Sequence, residues 1–336
     1  MIMNNYTHLS PEIHRQLARL RSRFVPRRCF CEFSNAMSTL EDRRRAEIAE
    51  GLNPEARGVA VIGNSGSGKS TAVTHFFRGH DTLRMLSHED ETADVASFLV
   101  PSPATLKGVG ISCLSGLGYP LMRDRTAGII WELVQSHLRE LQVMFLHLDE
   151  AQDLMGSQSE REMLAVVNTL KSVMQNKHWP VSIVLSGLPT LKTLLNLDPQ
   201  LGRRFTPVSF SQLDDINDGQ NVCALIQQYA QAAVIECAEE VRTEDFVARL
   251  IHAAANEFGI LIEIIIGAIE ICMRRDESTL GKEHFVAEFL RRTGCVDDLN
   301  PFVRRDYSAL NPRLILPVHE DLLNGKVPPR RGAPKK

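Results

Sequence analysis

The stretch GNSGSGKS, residues 63–70, decides the fold of this 336-residue chain. It has the spacing G-x-x-x-x-G-K-S, in which the main-chain N–H groups of a glycine-rich loop surround phosphate oxygens. The loop follows a β-branched run at 58–63 that predicts a buried strand, and it opens a segment at 70–79 that predicts a helix. A strand, a glycine loop and a helix in this order indicate a nucleotide-binding site.

The residues predicted to bind the nucleotide are consecutive. They are Gly63, Asn64, Ser65, Gly66, Ser67, Gly68, Lys69, Ser70 and Thr71. We expect the ammonium group of Lys69 to reach the β and γ phosphates and the hydroxyl of Ser70 to bind Mg²⁺. The N-terminus of the following helix adds partial positive charge at the same place.

Two acidic residues follow a second apolar run. The run at 143–148 ends in Asp149 and Glu150, where a buried strand would deliver them beside the phosphate loop. We expect Asp149 to hold Mg²⁺ and Glu150 to orient and polarise the attacking water, because phosphoryl transfer depends on positioning and charge stabilisation. Ser186, at the end of another predicted strand, either offers its hydroxyl to the γ-phosphate or the water, or is a buried serine bonded to the backbone.

The nucleotide base is predicted to be adenine. Residues 176–179 read NKHW and resemble the guanine-reading pattern N-K-x-D, but Trp179 stands where that pattern has its carboxylate. GTP is therefore disfavoured, and ATP with Mg²⁺ is the expected ligand. The basic segment at the N-terminus is expected to support an adenine pocket around residues 24–30, to contact a neighbouring subunit, or to contact DNA.

The order of predicted elements indicates an α/β fold. Apolar runs at 94–100, 143–150, 181–187 and 207–210 alternate with segments of helical periodicity, which predicts a parallel five-stranded sheet covered on both faces. From about residue 213 the predicted strands stop, and residues 213–295 are predicted to contain helices only. The predicted parts are a basic helical segment (1–55), a nucleotide-binding domain (56–212), a helical lid domain (213–300) and an irregular basic tail (301–336).

Composition excludes several classes of protein. The net charge of −3 argues against a histone-like wrapper of nucleic acid, although local basic patches remain compatible with DNA binding. The seven cysteines are odd in number and scattered, which favours reduced thiols over a disulfide framework. The N-terminus lacks the features of a signal peptide, and the apolar stretch at 258–273 contains Glu263 and Glu270, which predicts a buried helix and not a bilayer span.

Two arginines lie between the last two predicted strands. Arg203 and Arg204 are too far along the predicted sheet to bind the nucleotide of their own subunit. Either one is expected to reach the γ-phosphate of a neighbouring subunit, where a guanidinium stabilises transition-state charge and makes hydrolysis depend on assembly. The sequence does not choose between them, and the alternative is a pair of solvated arginines.

These motifs together resemble AAA+ ATPases of the initiator and loader branch. A narrower resemblance is to the TniB/TnsC transposition regulators, and it extends over about residues 15–305. Its motifs are VPSPATLKGVGISCLSGLGYP (100–120), LHLDEAQDL (146–154), NTLKSVMQNKHWPVSIVLSGLP (168–189), LGRRF (201–205) and NPF (300–302).

The resemblance implies a function. TnsC-like proteins bind ATP, assemble into rings or filaments on double-stranded DNA, and link a TniQ-like target selector to the transposase, with hydrolysis controlling the assembly. It also implies a bacterial protein of the cytoplasm, associated with the nucleoid. Ile262 stands about where many AAA+ lids carry a sensor arginine, and this departure favours a slow regulatory ATPase.

The resemblance also places the DNA contacts. Family loops in the region of Lys107, Arg123 and Arg125 line the ring and touch the phosphate backbone, which predicts salt-dependent binding without sequence preference. A solvated basic loop is the alternative. The basic tail after Lys326 is expected either to dock a transposase subunit or to remain solvated.

Two other functions remain compatible with the sequence. One is a clamp or helicase loader from the same ATPase branch, which binds a replication protein. The other is a DNA motor such as a helicase, in which fast hydrolysis is coupled to strand separation.

Overall fold

A five-stranded parallel sheet forms the centre of the nucleotide-binding part of the chain. It belongs to a computed structural model that describes residues 10–87, 91–155 and 159–313. Within these ranges the strand order is β2-β3-β4-β1-β5, and every neighbouring pair is parallel. The strands are β1 (Gly58–Gly63), β2 (Val95–Leu99), β3 (Phe145–Asp149), β4 (Ser182–Gly187) and β5 (Phe205–Phe210). The predicted α/β class and parallel sheet are confirmed.

Helices cover both faces of this sheet. They are α2 (Arg28–Ala49), α3 (Lys69–Gly79), α4 (Leu106–Gly116), α5 (Ala127–Glu140), α6 (Glu160–Met174), α7 (Leu191–Asn196) and α8 (Pro199–Gly202). Along β1, Val59 and Val61 pack in one apolar cluster with side chains of α2 and α3, whereas Ala60 and Ile62 pack in a second cluster with α4, α5 and α6. Burial on both faces explains why the central strands β1, β3 and β4 are nearly continuous apolar runs.

The carboxyl ends of three central strands create the place for a site. Strand β4 pairs with both β3 and β1, so Gly63, Asp149 and Gly187 end neighbouring strands. Helix α3 follows β1 on one face of the sheet, while α6 and α7 follow β3 and β4 on the other face. Ligands of open α/β sheets bind where connections leave on opposite faces, and here that point lies between β1 and β4.

The position of β5 at the edge of the sheet explains its proline. Pro207 is aligned with Ala60 of β1, and β5 has no other neighbouring strand among the described residues. Proline lacks an N–H group for the ladder, so an edge strand tolerates it where a central strand would not.

The rest of the described chain forms a second compact unit. Residues 24–212 make up the unit with the large sheet, and residues 10–23 and 213–313 make up the helical unit. Its helices are α1 (Pro11–Ser22), α9 (Asp215–Ala232), α10 (Glu244–Ala253), α11 (Phe258–Arg274) and α12 (Lys282–Thr293). Pro26 lies between α1 and α2. The tail predicted after Lys326 lies outside the described residues.

The helical unit also contains two short strands. β6 (Glu236–Cys237) and β7 (Thr279–Leu280) pair in parallel, so the prediction of helices only over 213–295 was wrong at these positions. Each strand is two residues long, which is too short to show the alternation that predicts a strand.

The apolar stretch at 258–273 forms α11, whose side chains are largely buried, as expected from its composition. Among the helices of the described ranges, none is both long enough and apolar enough to cross a bilayer.

Candidate nucleotide-binding site

The phosphate loop connects β1 to α3 through a left-handed backbone. Gly66 and Gly68 have φ values of 81° and 90°, which side chains other than glycine rarely adopt. At Gly63 the reason for glycine is space, because a Cβ there would stand 2.8 Å from the main-chain oxygen of Phe210 and 2.8 Å from Oγ of Ser67. Helix α3 then begins without a side-chain cap, so its first N–H groups have no side-chain acceptor. A loop with this conformation suits an anion.

The lysine of the motif is held at this loop. Lys69 is 6% exposed, and its Nζ donates hydrogen bonds of 2.8 Å to the main-chain oxygens of both Gly63 and Asn64. Ser70 and Thr71 follow in the first turn of α3. The structure therefore brings the lysine ammonium and two hydroxyl-bearing residues together at the N-terminus of one helix.

The two acidic residues lie at the carboxyl end of β3: Asp149 is its last residue and Glu150 follows it. Asp149 accepts a 2.5 Å hydrogen bond from the hydroxyl of Ser186 and a 3.0 Å bond from the N–H group of Glu150, both at Oδ1. Glu150 itself has φ 55°, a left-handed value that is uncommon for a residue with a side chain. Strained backbone of this kind is concentrated at functional sites, where the surrounding structure holds it in place.

A chain of hydrogen bonds leads from Asp149 across three strands. Ser186 gives its only proton to Asp149, so its Oγ accepts from Nε2 of His147 at 2.8 Å. Nδ1 of His147 then carries no proton, and it accepts a hydrogen bond from the hydroxyl of Ser97 on β2, also at 2.8 Å. Burial lowers the pKa of His147 to about 4, while the charge of Asp149 opposes this shift. The imidazole is consequently neutral near pH 7, as the chain of bonds requires.

Sequence reasoning missed Ser97, His147 and Gln152. Gln152 donates from Nε2 to Oε2 of Glu150 at 2.6 Å and accepts at Oε1 from the N–H group of Leu188 at 3.0 Å. The available signals were a polar residue inside an apolar strand, as at His147, and the position of Gln152 in the motif LHLDEAQDL (146–154). Neither identifies its partner without the strand order.

The two arginines proposed to act on a neighbouring subunit have different surroundings. The guanidinium of Arg204 is buried and donates to Oε2 of Glu55 at 2.7 Å and to the main-chain oxygen of Gln200 at 3.1 Å. Arg203 is exposed. The side chain of Arg204 thus stabilises its own subunit, whereas that of Arg203 faces solvent.

The basic residues expected to contact DNA also differ in their surroundings. Arg123 and Arg125 are exposed, while the ammonium of Lys107 forms an ion pair with the carboxylate of Asp124. This hydrogen bond holds the pKa of the Asp124 carboxyl below its usual value. The charge of Lys107 on α4 is therefore neutralised by the loop that carries Arg123 and Arg125.

Aromatic rings lie beside α3 on the side of the N-terminal segment. The ring of Phe24 stacks on His75 with centroids 3.7 Å apart, and Phe30 meets both edge-on at 4.6 and 5.7 Å. These π-surfaces adjoin the helix that follows the phosphate loop.

The residues present fit a magnesium nucleotide. The left-handed loop around Gly66 and Gly68 and the ammonium of Lys69 offer donors for phosphate oxygens. The hydroxyl of Ser70 and the carboxylate of Asp149 are hard oxygen ligands of the kind that Mg²⁺ prefers.

Comparison with known proteins identifies the family of the chain. The sequence profile of a family described as bacterial TniB protein matches residues 21–214, which is more than half of the chain. No curated protein sequence matches the chain.

Solved structures share the fold. The ORC1 protein of Aeropyrum pernix in complex with DNA has a TM-score of 0.53 and 14% identity, over 87% of this chain and 68% of that one. The ORC2 protein of the same organism, in ADPNP-ADP complexes, has a TM-score of 0.56 and 13% identity, over 81% and 71%. Cdc6p from Pyrobaculum aerophilum has a TM-score of 0.51 and 13% identity, over 85% and 69%. At these identities the likeness concerns the fold alone, which is that of the AAA+ P-loop ATPases.

Proposed function

The chain belongs to the TniB family of bacterial proteins, and from that membership we propose that it is an ATP-hydrolysing regulator of DNA transposition. The observation that carries the proposal is one arrangement at the edge of the sheet. The phosphate loop with Lys69 follows β1, the Asp149–Glu150 pair comes at the end of β3, and β4, which lies between these two strands, holds Asp149 through Ser186.

Each side chain has a separate task in the proposed reaction. Lys69 and the loop N–H groups bind the β and γ phosphates, and Glu150 orients and polarises the water that attacks the γ-phosphate. Ser70 and Asp149 would hold Mg²⁺, which would neutralise charge on the phosphate oxygens. The hydroxyl of Ser186, committed to Asp149, fixes the direction of that carboxylate. Phe24, Phe30 and His75 supply apolar and π-surface for the adenine.

We propose that Arg203 completes the site of a neighbouring copy of the chain. Its exposure suits a guanidinium that acts across an interface, whereas the bonds of Arg204 to Glu55 and Gln200 suit an internal role. Hydrolysis then depends on assembly, because the charge that stabilises the transition state comes from the next subunit. ATP thereby controls whether copies gather, and its hydrolysis releases them.

We propose further that the assembly forms as a ring or filament on double-stranded DNA, in the cytoplasm at the nucleoid. Arg123 and Arg125 are the exposed cations offered to the phosphate backbone, and Lys107 contributes less while it is paired with Asp124. The link to a TniQ-like target selector and to transposase subunits rests on family membership.

The decisive experiment is electron microscopy of the protein with duplex DNA and a non-hydrolysable ATP analogue. We expect ordered assemblies with the analogue, few without nucleotide, and none with the Lys69→Ala variant. A protein that stays monomeric on DNA at saturating analogue, or that assembles equally without nucleotide, would contradict the proposal. Strand separation of a forked duplex in the presence of ATP would instead identify a motor.

A further inference from the structure

Gln152 joins the carboxylate of Glu150 to the main chain that follows β4. It lies in a short 3₁₀ helix (Ala151–Met155), directly after the acidic pair. Its Nε2 group is 2.6 Å from Oε2 of Glu150, and its Oε1 is 3.0 Å from the N–H group of Leu188. A primary amide is a neutral group that donates and accepts at once, so both bonds use the chemistry of glutamine.

The residue before Leu188 makes room for this amide. A Cβ on Gly187 would stand 2.6 Å from Oε1 of Gln152 and 3.2 Å from its main-chain nitrogen. Gly187 does not have a positive φ, so its backbone conformation is open to any residue. Space for Gln152, and not backbone geometry, therefore explains the glycine at the end of β4.

No other side chain in the described ranges holds the carboxylate of Glu150. The neighbouring strand offers none at this level, because the residue aligned with Asp149 on β2 is Leu99, whose side chain is apolar and exposed. The left-handed backbone at Glu150 directs the carboxylate, and the amide of Gln152 fixes one of its two oxygens. The second oxygen stays available to a water molecule.

We propose that Gln152 is a positioning residue that couples the orientation of Glu150 to the segment after β4. Ser186 and Leu188 flank Gly187, so the end of β4 holds Asp149 directly and Glu150 through Gln152. A displacement of this segment changes the rate of hydrolysis by turning Glu150 without releasing ATP. The inference rests on the proposed role of Glu150 and adds to it the element through which that role is regulated.

Two substitutions separate the two bonds of the amide. Gln152→Met keeps the approximate size and removes both bonds. Gln152→Glu keeps an acceptor for Leu188 but replaces the donor to Glu150 by a second carboxylate. We expect both to lower kcat by about 10- to 100-fold, the range for losing a hydrogen bond to a charged group. The KM for ATP should change less than about twofold, because a positioning residue acts after binding.

Gly187→Ala tests the coupling from the other side. The added methyl group displaces the amide, so kcat should fall as in Gln152→Met. Since both changes break the same link, the double variant should be no slower than Gln152→Met alone.

The matched control is Gln135, a half-buried glutamine whose side chain also donates one hydrogen bond and accepts another. It donates to the main-chain oxygen of Trp131 at 3.3 Å and accepts from Asn176 at 2.9 Å. Gln135→Met and Gln135→Glu should leave kcat unchanged. Equal losses at 135 and 152, or loss of ATP binding in the Gln152 variants, would overturn the inference.

Glu150→Gln separates failure of this inference from failure of the proposed function. If Glu150→Gln hydrolyses ATP normally, the role of Glu150 is wrong and the coupling falls with it. If Glu150→Gln is inactive while both Gln152 variants hydrolyse at the normal rate, the coupling alone is overturned.

Discussion

The hydroxyl of Ser186 donates a 2.5 Å hydrogen bond to Oδ1 of Asp149, and Nε2 of His147 donates to that same hydroxyl. The bond joins two strands whose residues are far apart in the chain. It directs the serine proton toward the carboxylate, so the direct γ-phosphate contact considered from the sequence would require Ser186 to give up this bond.

A first prediction concerns His147 and pH. The pKa of the buried imidazole is about 4, whereas a histidine in the unfolded chain titrates near 6.5. The unfolded state therefore binds more protons between these values, and the contribution of His147 to the free energy of unfolding falls as the pH is lowered through this window. Its full size, present above pH 6.5, is on the order of 3 kcal/mol.

The measurement is urea unfolding at pH 7 and pH 4.5 with His147→Gln as the comparison. Glutamine offers Ser186 an N–H donor but does not titrate. On acidification, the urea concentration at the unfolding midpoint should fall further in the unmodified protein than in the variant. Parallel losses in the two proteins would show that the protonation of His147 does not matter.

A second prediction separates binding from hydrolysis. Lys69→Ala should weaken ATP binding by about 100-fold, because it removes a charge-assisted donor to the phosphates. Lys192→Ala, at an exposed position on α7, is the control and should bind ATP normally. Equilibrium binding of a fluorescent ATP analogue gives both values.

A third prediction concerns the attacking water. Glu150→Gln should bind ATP but hydrolyse it about 10²- to 10⁴-fold more slowly, the usual contribution of a general base. Assemblies on DNA should then persist after ATP is added, as seen by sedimentation. Normal phosphate release by this variant would remove Glu150 from the mechanism.

A fourth prediction distinguishes the two arginines. Arg203→Ala should lower kcat by about 10³-fold, within the range for an arginine supplied by a neighbour, and leave the melting temperature unchanged. Arg204→Ala should lower the melting temperature, because it breaks the bonds to Glu55 and Gln200.

Mixing two inactive variants tests whether Arg203 acts between copies. Arg203→Ala and Glu150→Gln each carry one intact half of a site. A mixture should regain part of the ATPase activity, since some interfaces then combine an intact Glu150 with an intact Arg203. If the mixture stays as inactive as its components, Arg203 serves its own subunit.

A fifth prediction concerns DNA. Arg123→Ala and Arg125→Ala should each weaken duplex binding equally for all sequences and reduce the slope of log K against log salt by about 1. Lys107→Ala should have a smaller effect because Lys107 is paired. Asp124→Asn should strengthen binding, since it removes a negative charge and releases Lys107, and unchanged affinity in that variant would exclude this loop from the interface.

The sequence alone determined the elements whose signals are local. Burial on both sheet faces gave the central strands β1, β3 and β4 nearly continuous apolar runs. The positive φ values at Gly66 and Gly68 belong to the spacing of the phosphate motif. Asp149 and Glu150 could be placed because they end such a run. The apolar stretch that forms α11 could be predicted to be a buried helix, and not a bilayer span, because it contains Glu263 and Glu270.

Only the tertiary structure decided which residues meet. The bonds of Ser186 to Asp149, of Ser97 to His147 and of Gln152 to Leu188 all join segments brought together by the strand order β2-β3-β4-β1-β5. The difference in surroundings between Arg203 and Arg204 also depends on packing, because adjacent residues of the same type leave the same signal in a sequence. Periodicity and spacing report on the nearest neighbours along the chain, whereas hydrogen-bond partners across a parallel sheet are set by a register that no local pattern contains.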